Sequence, residues 1–276
     1  MTTTSSSPVW FITGATSGIG HELVKQALAA GESVVAVARN TVNLAVPPAD
    51  RLLAVDADVR DEGAVQKAVE QALSRFGRID VVANNAGYGL FGAVEESTDA
   101  QARDVFDTNV FGVLNVLRAT LPTLRAQRSG HVLQGSSYFG QTAIPGVGLL
   151  AATKYAVEGL SDALVAELAP LGIKVTLIQP GLTATPFLSN MAAASVTHAD
   201  YDATVRGVYE AVSQLPPEAF SAAGRVAEGI RKAVASPTPP RRLALNTSAA
   251  QEMRTALAQR LADLDDWIGI AEAVEA

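Results

Sequence analysis

Between Val9 and Gly20 the chain passes from a continuous apolar run, Val9-Trp10-Phe11-Ile12, through Thr13-Gly14 into a helical pattern. Apolar runs closed by glycine mark strands buried on both faces, as in a parallel sheet. From Gly18 to Ala30, the residues Ile19, Leu23, Ala27 and Ala30 share one helical face, and Gly31 closes the segment as a C-cap. A second buried strand, Ser33 to Ala38, follows at once. A strand that feeds a helix and returns as a parallel strand does so by a right-handed crossover, and repeated along the chain this implies a doubly wound α/β architecture.

The same alternation continues. Strands are expected near 52–56, 80–83, 131–136, 173–178 and 242–246, and helices near 61–76, 99–127, 150–169 and 223–236. The expectation is a doubly wound parallel sheet, a Rossmann fold of about seven strands flanked by helices, in one domain over residues 1–276. Arg39 to Arg51 contains Pro47-Pro48 and is too short for a full crossover helix, so a shortened one is expected there. The connection 182–222 is long and rich in Ala, Ser and Thr, as in a substrate lid. Residues 249–276 read as a helix with a frayed end, and residues 1–8 as a flexible Thr/Ser-rich terminus without the features of a secretory signal.

The formal charge of −7 argues against a polyanion-binding surface, so no nucleic acid partner is expected. There is no cysteine, which removes disulfides and thiolate metal sites and fits a reducing compartment. His21, His131 and His198 have no ligand spacing, so no metal is expected. No run approaches the roughly 18 apolar residues of a membrane span. A cytoplasmic protein without a membrane partner is the expectation.

The segment Gly14-Ala15-Thr16-Ser17-Gly18-Ile19-Gly20 stands where a strand meets a helix, the setting that makes a glycine triplet informative. Gly14 permits a tight turn, Gly18 lets a dinucleotide pyrophosphate approach the backbone, and Gly20 lets the helix pack closely. The helix N-terminus offers unpaired N–H groups to phosphate. At the end of the second strand, where NAD enzymes carry an acid, the sequence reads Ala38-Arg39-Asn40. A guanidinium there suits a ribose 2′-phosphate, so NADP(H) is favoured over NAD(H).

Thr13-Gly14-x-x-x-Gly18-Ile19-Gly20, Asp58-Val59, Asn84-Asn85-Ala86-Gly87, Asn109, Ser137, Lys154 and Pro180-Gly181-x-x-x-Thr185 together resemble the motif series of the classical short-chain dehydrogenases/reductases, over about residues 8–247. The resemblance implies hydride transfer between nicotinamide and a ketone or secondary alcohol. It implies that Asp58 binds the adenine amino group with Val59 beside the ring, and that Asn85-Ala86-Gly87 lines the adenosine ribose. Pro180, Gly181 and Thr185 would clamp the nicotinamide. Ser137 would hold the substrate oxygen, Lys154 the nicotinamide ribose, and Asn109 a helix kink and a relay water. Homodimers or homotetramers through the helices near 100–127 and 150–169 are implied as well. For Asp58 taken alone, a plain helix N-cap is the competing reading.

One member of that series is absent. The family's proton-donating tyrosine precedes its lysine by four residues on one helical face, and there the sequence has Leu150. Ser137 stands 13 positions before Leu150, the family's serine-to-tyrosine spacing, so the frame is intact. Tyr155 points about 100° away around the helix. Tyr138 and Tyr88 are candidate replacements, and Tyr201 and Tyr209 fall in the lid. Phe187, Leu188, Met191 and Val196 of the lid suit either an apolar substrate or lid packing. The expectation is an oxidoreductase scaffold impaired at residue 150, whether by a substitution introduced into an active reductase or in a natural silent homologue. Two alternatives stay open: a non-catalytic NADPH-binding sensor or interaction protein, and a pocket running another reaction.

Overall fold

Strand β1 (Val9–Thr13) is buried along its whole length, with Val9 and Phe11 in one core cluster and Trp10 and Ile12 in the other. The structure, a computed structural model, describes residues 7–47 and 49–275. Pro48 and most of the terminus read as flexible, residues 1–6, lie outside the described residues. The chain continues through α1 (Gly18–Ala29), β2 (Ser33–Ala38), β3 (Leu52–Asp56), α2 (Glu62–Phe76), β4 (Val81–Asn84) and the short β5 (Leu90–Phe91). Next come α3 (Asp99–Phe106), α4 (Gly112–Gln127), β6 (Gly130–Gly135), α5 (Gly148–Leu168), β7 (Ile173–Gln179) and the short β8 (Thr183–Ala184) and β9 (Ala192–Ala193). The last elements are α6 (Gly207–Ser213), the short β10 (Ser221–Ala222), α7 (Ala223–Ala235), β11 (Arg242–Ala244) and α8 (Thr247–Glu275).

Seven parallel strands form one sheet in the order β11-β7-β6-β4-β1-β2-β3. Helices α2, α4 and α5 supply Val65, Val116 and Val157 to the cluster on one face, and α1 and α7 supply Leu23 and Ile230 to the other. This is the doubly wound sheet that the alternation predicts. Between β2 and β3 the crossover helix shrinks to one 3₁₀ turn, Thr41–Asn43. Strand order reverses between β1 and β4, and ligands of such sheets bind at the carboxyl ends of the strands flanking that reversal. The glycine turn follows β1 and the Asn85-Ala86-Gly87 segment follows β4, so both face this crevice.

Two features depart from the sequence pattern. The helix expected over 99–127 is interrupted by a π turn, Asp107–Phe111, with Asn109 at its centre. The long connection 182–222 is closed on itself at its two ends by β8 pairing with β10, and pinned to the body by β9 pairing with β5. No described helix is long and apolar enough to cross a membrane.

Candidate active site

The glycine turn is built by mutual clasping. Thr13 Oγ1 accepts from the N–H groups of Asn85 and Ala86, both at 3.1 Å, and donates to the Ala83 carbonyl at 3.2 Å. Asn85 Nδ2 donates to the carbonyls of Thr13 (3.1 Å) and Gly14 (3.3 Å). Gly14 and Gly18 have φ of 64° and 53°, a region glycine enters at no steric cost. The open side of Gly18 faces the Thr185 methyl, at 3.0 Å from where a Cβ would stand, so this glycine also seats the loop after β7. Thr16 and Ile19 are half-buried, and the exposed Ser17 makes no side-chain cap to α1. The first-turn amides of that helix thus face the crevice with no side chain capping them, as an anion site requires.

Gly20 allows no side chain. A Cβ there would lie 2.3 Å from the Gly14 oxygen and 2.5 Å from Asn85 Nδ2. Gly20→Ala must push α1 off the turn, at a cost of roughly 1–3 kcal/mol for overpacking. Thermal unfolding and NADPH titration are expected to show lower stability together with weakened binding; a variant unchanged in both contradicts this account of the turn.

At the carboxyl end of β2, Arg39 is exposed. Asp58 accepts from Arg60 through the backbone N–H (3.0 Å) and the guanidinium (2.7 Å to Nη2), and that hydrogen bond holds its carboxyl below the ordinary range. The N-cap of α2 is Asp61, whose carboxylate accepts from Ala64 N at 3.0 Å, so Asp58 is not the cap. Arg60, which also reaches Asp104, carries no signal in the sequence and is found only in the fold. Val59 is buried, with its side chain opposite Gly112 and its carbonyl accepting from Asn115 Nδ2.

Asn109, Ser137, Leu150 and Lys154, also singled out in the sequence, gather around α5. Asn109, 1% exposed, exchanges hydrogen bonds with the Tyr88 backbone, Oδ1 accepting from N (3.1 Å) and Nδ2 donating to O (2.8 Å). Its Nδ2 also donates to Thr153 Oγ1 at 3.1 Å. A Cβ at Gly87 would lie 2.9 Å from Asn109 Oδ1 and 3.8 Å from Lys154 Nζ, so these three residues stand close together. Lys154 Nζ donates to the Gly135 carbonyl at 2.7 Å, and burial pushes the ammonium down to about 8. Ser137 Oγ accepts from Phe139 N at 3.2 Å, which leaves its proton free to donate. Tyr138 N donates to the Pro180 carbonyl at 3.2 Å, tying the Ser137 turn to the loop that opens the lid. Gly181 lets Asn246 and Ala249 approach, each Cβ lying 2.8 Å from its own would-be Cβ.

Leu150 is 2% exposed and sits in an apolar cluster with Tyr138, Phe139, Val147 and Met253, against which Met191 of the lid packs. Of the lid residues read as apolar lining, Met191 alone reaches this cluster; Phe187, Leu188 and Val196 lie on the exposed side. Burial raises the Tyr138 hydroxyl well above the ordinary phenol range, which makes it a poorer acid. Burial and the Asp104 carboxylate raise Tyr88 too. Tyr155 is exposed, with the Arg260 guanidinium 5.1 Å from its ring centre. Tyr201 donates to Glu95 at 2.8 Å, and Tyr209 packs on Phe91.

Two buried carboxylates support the site. Glu158, one turn beyond Lys154, accepts from Ser136 Oγ (2.6 Å), Gln141 Nε2 (2.9 Å), Gln179 Nε2 (2.9 Å) and Arg242 Nε (2.8 Å). It thereby joins the Ser137 turn to the ends of β7 and β11. Its one signal in the sequence is the Lys154-to-Glu158 spacing on one helical face. Glu96 accepts from Ala93 N (2.8 Å), His198 N (2.7 Å) and Arg206 Nη1 (3.0 Å), fastening the lid to the segment after β5. The His198 amide, first among these donors, holds the Glu96 carboxyl below its ordinary range.

The family model for the short chain dehydrogenase matches residues 8–195. Oxidoreductase BOA17 of Botryotinia fuckeliana is 35% identical over 249 residues, which span 88% of this chain and 90% of that protein. The crystal structure of a short-chain dehydrogenase from Streptomyces avermitilis is similar with a TM-score of 0.88 at 36% identity, covering 97% of this chain and 99% of that one. Two further structures contain nicotinamide cofactors. A short chain dehydrogenase from Burkholderia cenocepacia in complex with NADP is 25% identical, with a TM-score of 0.75 and coverage of 95% and 97%. The 3-ketoacyl-(acyl-carrier-protein) reductase from Brucella melitensis complexed with NADH is 28% identical, with a TM-score of 0.74 and coverage of 87% and 96%.

Proposed function

The chain belongs to the short-chain dehydrogenases, and on that premise we propose that it is an NADP(H)-dependent ketone reductase scaffold whose proton-donor position is filled by Leu150. The observation that carries this reading is the intact frame around the substitution: Ser137 with a free hydroxyl proton, and Lys154 one turn beyond Leu150.

The residues present fit a dinucleotide. Gly14 and Gly18, both at positive φ, keep the turn tight, α1 presents its first amides uncapped by a side chain, and Gly87, Asn109 and Lys154 stand close together beyond the end of β4. A nicotinamide bound there would exchange a hydride with the substrate carbon. Ser137 donates to the substrate oxygen and holds it in place. Lys154, with one donor committed to Gly135, keeps two for a ribose. Thr185, whose methyl meets Gly18, closes the lid's root over the turn. No residue at position 150 delivers the proton that a developing alkoxide needs, so the chain as it stands binds cofactor and turns over slowly.

Arg39 supports NADP(H): exposed at the end of β2, it offers a planar pair of donors to a 2′-phosphate. Arg39→Ala is expected to weaken NADPH roughly 10–100-fold, the loss of a charge-assisted contact, and to leave NADH nearly unchanged. Equal losses for both would return the assignment to NAD(H).

Ketone-dependent oxidation of NADPH by the Leu150→Tyr protein tests the reductase reading. The close apolar packing of Leu150 favours a second reading, a non-catalytic NADPH-binding protein. A Leu150→Tyr protein that binds NADPH and reduces no ketone across a broad panel would select the second.

A further inference from the structure

Helix α8 leaves the body of the protein midway along its length. Its first turns are anchored by Ala249 and Met253, buried against the Tyr138 and Phe139 cluster, and by Arg260, which donates to Tyr155 and to the Gln141 carbonyl. Every residue from Leu261 to Glu275 is exposed, about 22 Å of helix with nothing among the described residues packed closely on it. A polar sequence could stand in water that way. This one carries Leu257 (48% exposed), Leu261 (59%), Leu264 (60%) and Ile268 (47%). At 100° per residue these four fall within a stripe about 60° wide, the narrow seam of a helix that pairs with another helix. Exposed apolar patches of this kind mark association surfaces.

The spacing of the stripe is the same read forwards or backwards. Two copies of α8 laid antiparallel therefore set Leu257 opposite Ile268 and Leu261 opposite Leu264, twice over. On one flank of that pair, the register also brings Arg254 of each copy beside Glu272 of the other. The basic residues of α8, Arg254 and Arg260, precede the stripe's midpoint together with Glu252, whereas the other acids, Asp263, Asp265, Asp266, Glu272 and Glu275, follow it. Parallel pairing would bring those acids together, and antiparallel pairing brings them towards the arginines.

We propose that the projecting half of α8 is a self-association arm, which pairs antiparallel with α8 of a second copy of this chain through Leu257, Leu261, Leu264 and Ile268. The contact is independent of the cofactor and substrate assignments.

The absence of cysteine makes a clean test available. Leu257→Cys and Ile268→Cys are made singly and oxidised alone and as an equimolar mixture. In the antiparallel pair, two copies of residue 257 lie about 16 Å apart along the helix, beyond the roughly 7 Å reach of a disulfide. Each variant alone is expected to stay uncross-linked, and the mixture to give a 257–268 cross-linked dimer. In parallel, Leu261→Asp/Leu264→Asp is expected to halve the particle mass measured by light scattering without changing NADPH binding. Cross-linking of Leu257→Cys to itself, an uncross-linked mixture, or an unchanged mass in the double variant would each overturn the proposal.

Discussion

Replacing Leu150 with tyrosine is expected to raise NADPH-driven ketone reduction by about 10²–10⁴-fold, the typical contribution of a positioned general acid. The hydroxyl would stand one turn before Lys154, whose ammonium burial has pushed down to about 8 and which is therefore still charged at neutral pH. An ammonium beside a phenol stabilises its ionised form and brings its ordinary pKa of about 10 down towards the working range. Above about pH 8 the lysine loses its charge and this help disappears, so the gain in reduction is expected to fall as pH rises through that value. Met191, flexible and packed against the Leu150 cluster, is the residue that has to make way for the larger ring. Leu150→Phe supplies the ring without the proton and is expected to gain nothing. A phenylalanine variant as active as the tyrosine variant would mean that shape, not proton transfer, limits the site.

The second large effect is expected at Glu158, which is 4% exposed and accepts four hydrogen bonds. Glu158→Ala leaves Ser136, Gln141 and Gln179 without their acceptor and removes half of the Arg242 ion pairing. Breaking a buried pair from one side costs 3–5 kcal/mol. Arg242 keeps Asp162, at 2.7 Å, so the lower end, about 3 kcal/mol, is expected. For a chain of this size that corresponds to a melting temperature lower by roughly 6–12 °C. Because Ser136 adjoins Ser137, activity of the Leu150→Tyr protein should fall along with stability when Glu158 is removed, and Glu158→Gln should retain more of both. An unchanged melting curve for Glu158→Ala would show that the network does not hold the Ser137 turn.

The sheet was legible because its strands are covered on both faces: runs such as Val9-Trp10-Phe11-Ile12 have no polar side to obscure them. The glycine turn was legible because Gly14, Gly18 and Gly20 each occupy a place where a side chain is strained or excluded. What the sequence hid lies in relations between distant residues. The π turn at Asn109 is a matter of backbone hydrogen bonding: the periodicity of Asp107-Thr108-Asn109-Val110-Phe111 reads as ordinary helix, and the family resemblance alone implies a kink there. Glu96 looks like half of a solvated Glu95-Glu96 pair until the fold brings Arg206 and the His198 amide to it. The strands of the lid are two residues long, below any periodicity. Helix α8, read as fraying, continues to Glu275.

The central claim is that the nucleotide platform is whole and that one hydroxyl is missing beside it. It is tested most directly by measuring NADPH affinity and ketone turnover on the same preparations of the chain and its Leu150→Tyr variant. The account predicts closely similar NADPH affinities and turnover that differs by about two to four orders of magnitude. Equal turnover by the two proteins, or failure of NADPH to bind either, would contradict it.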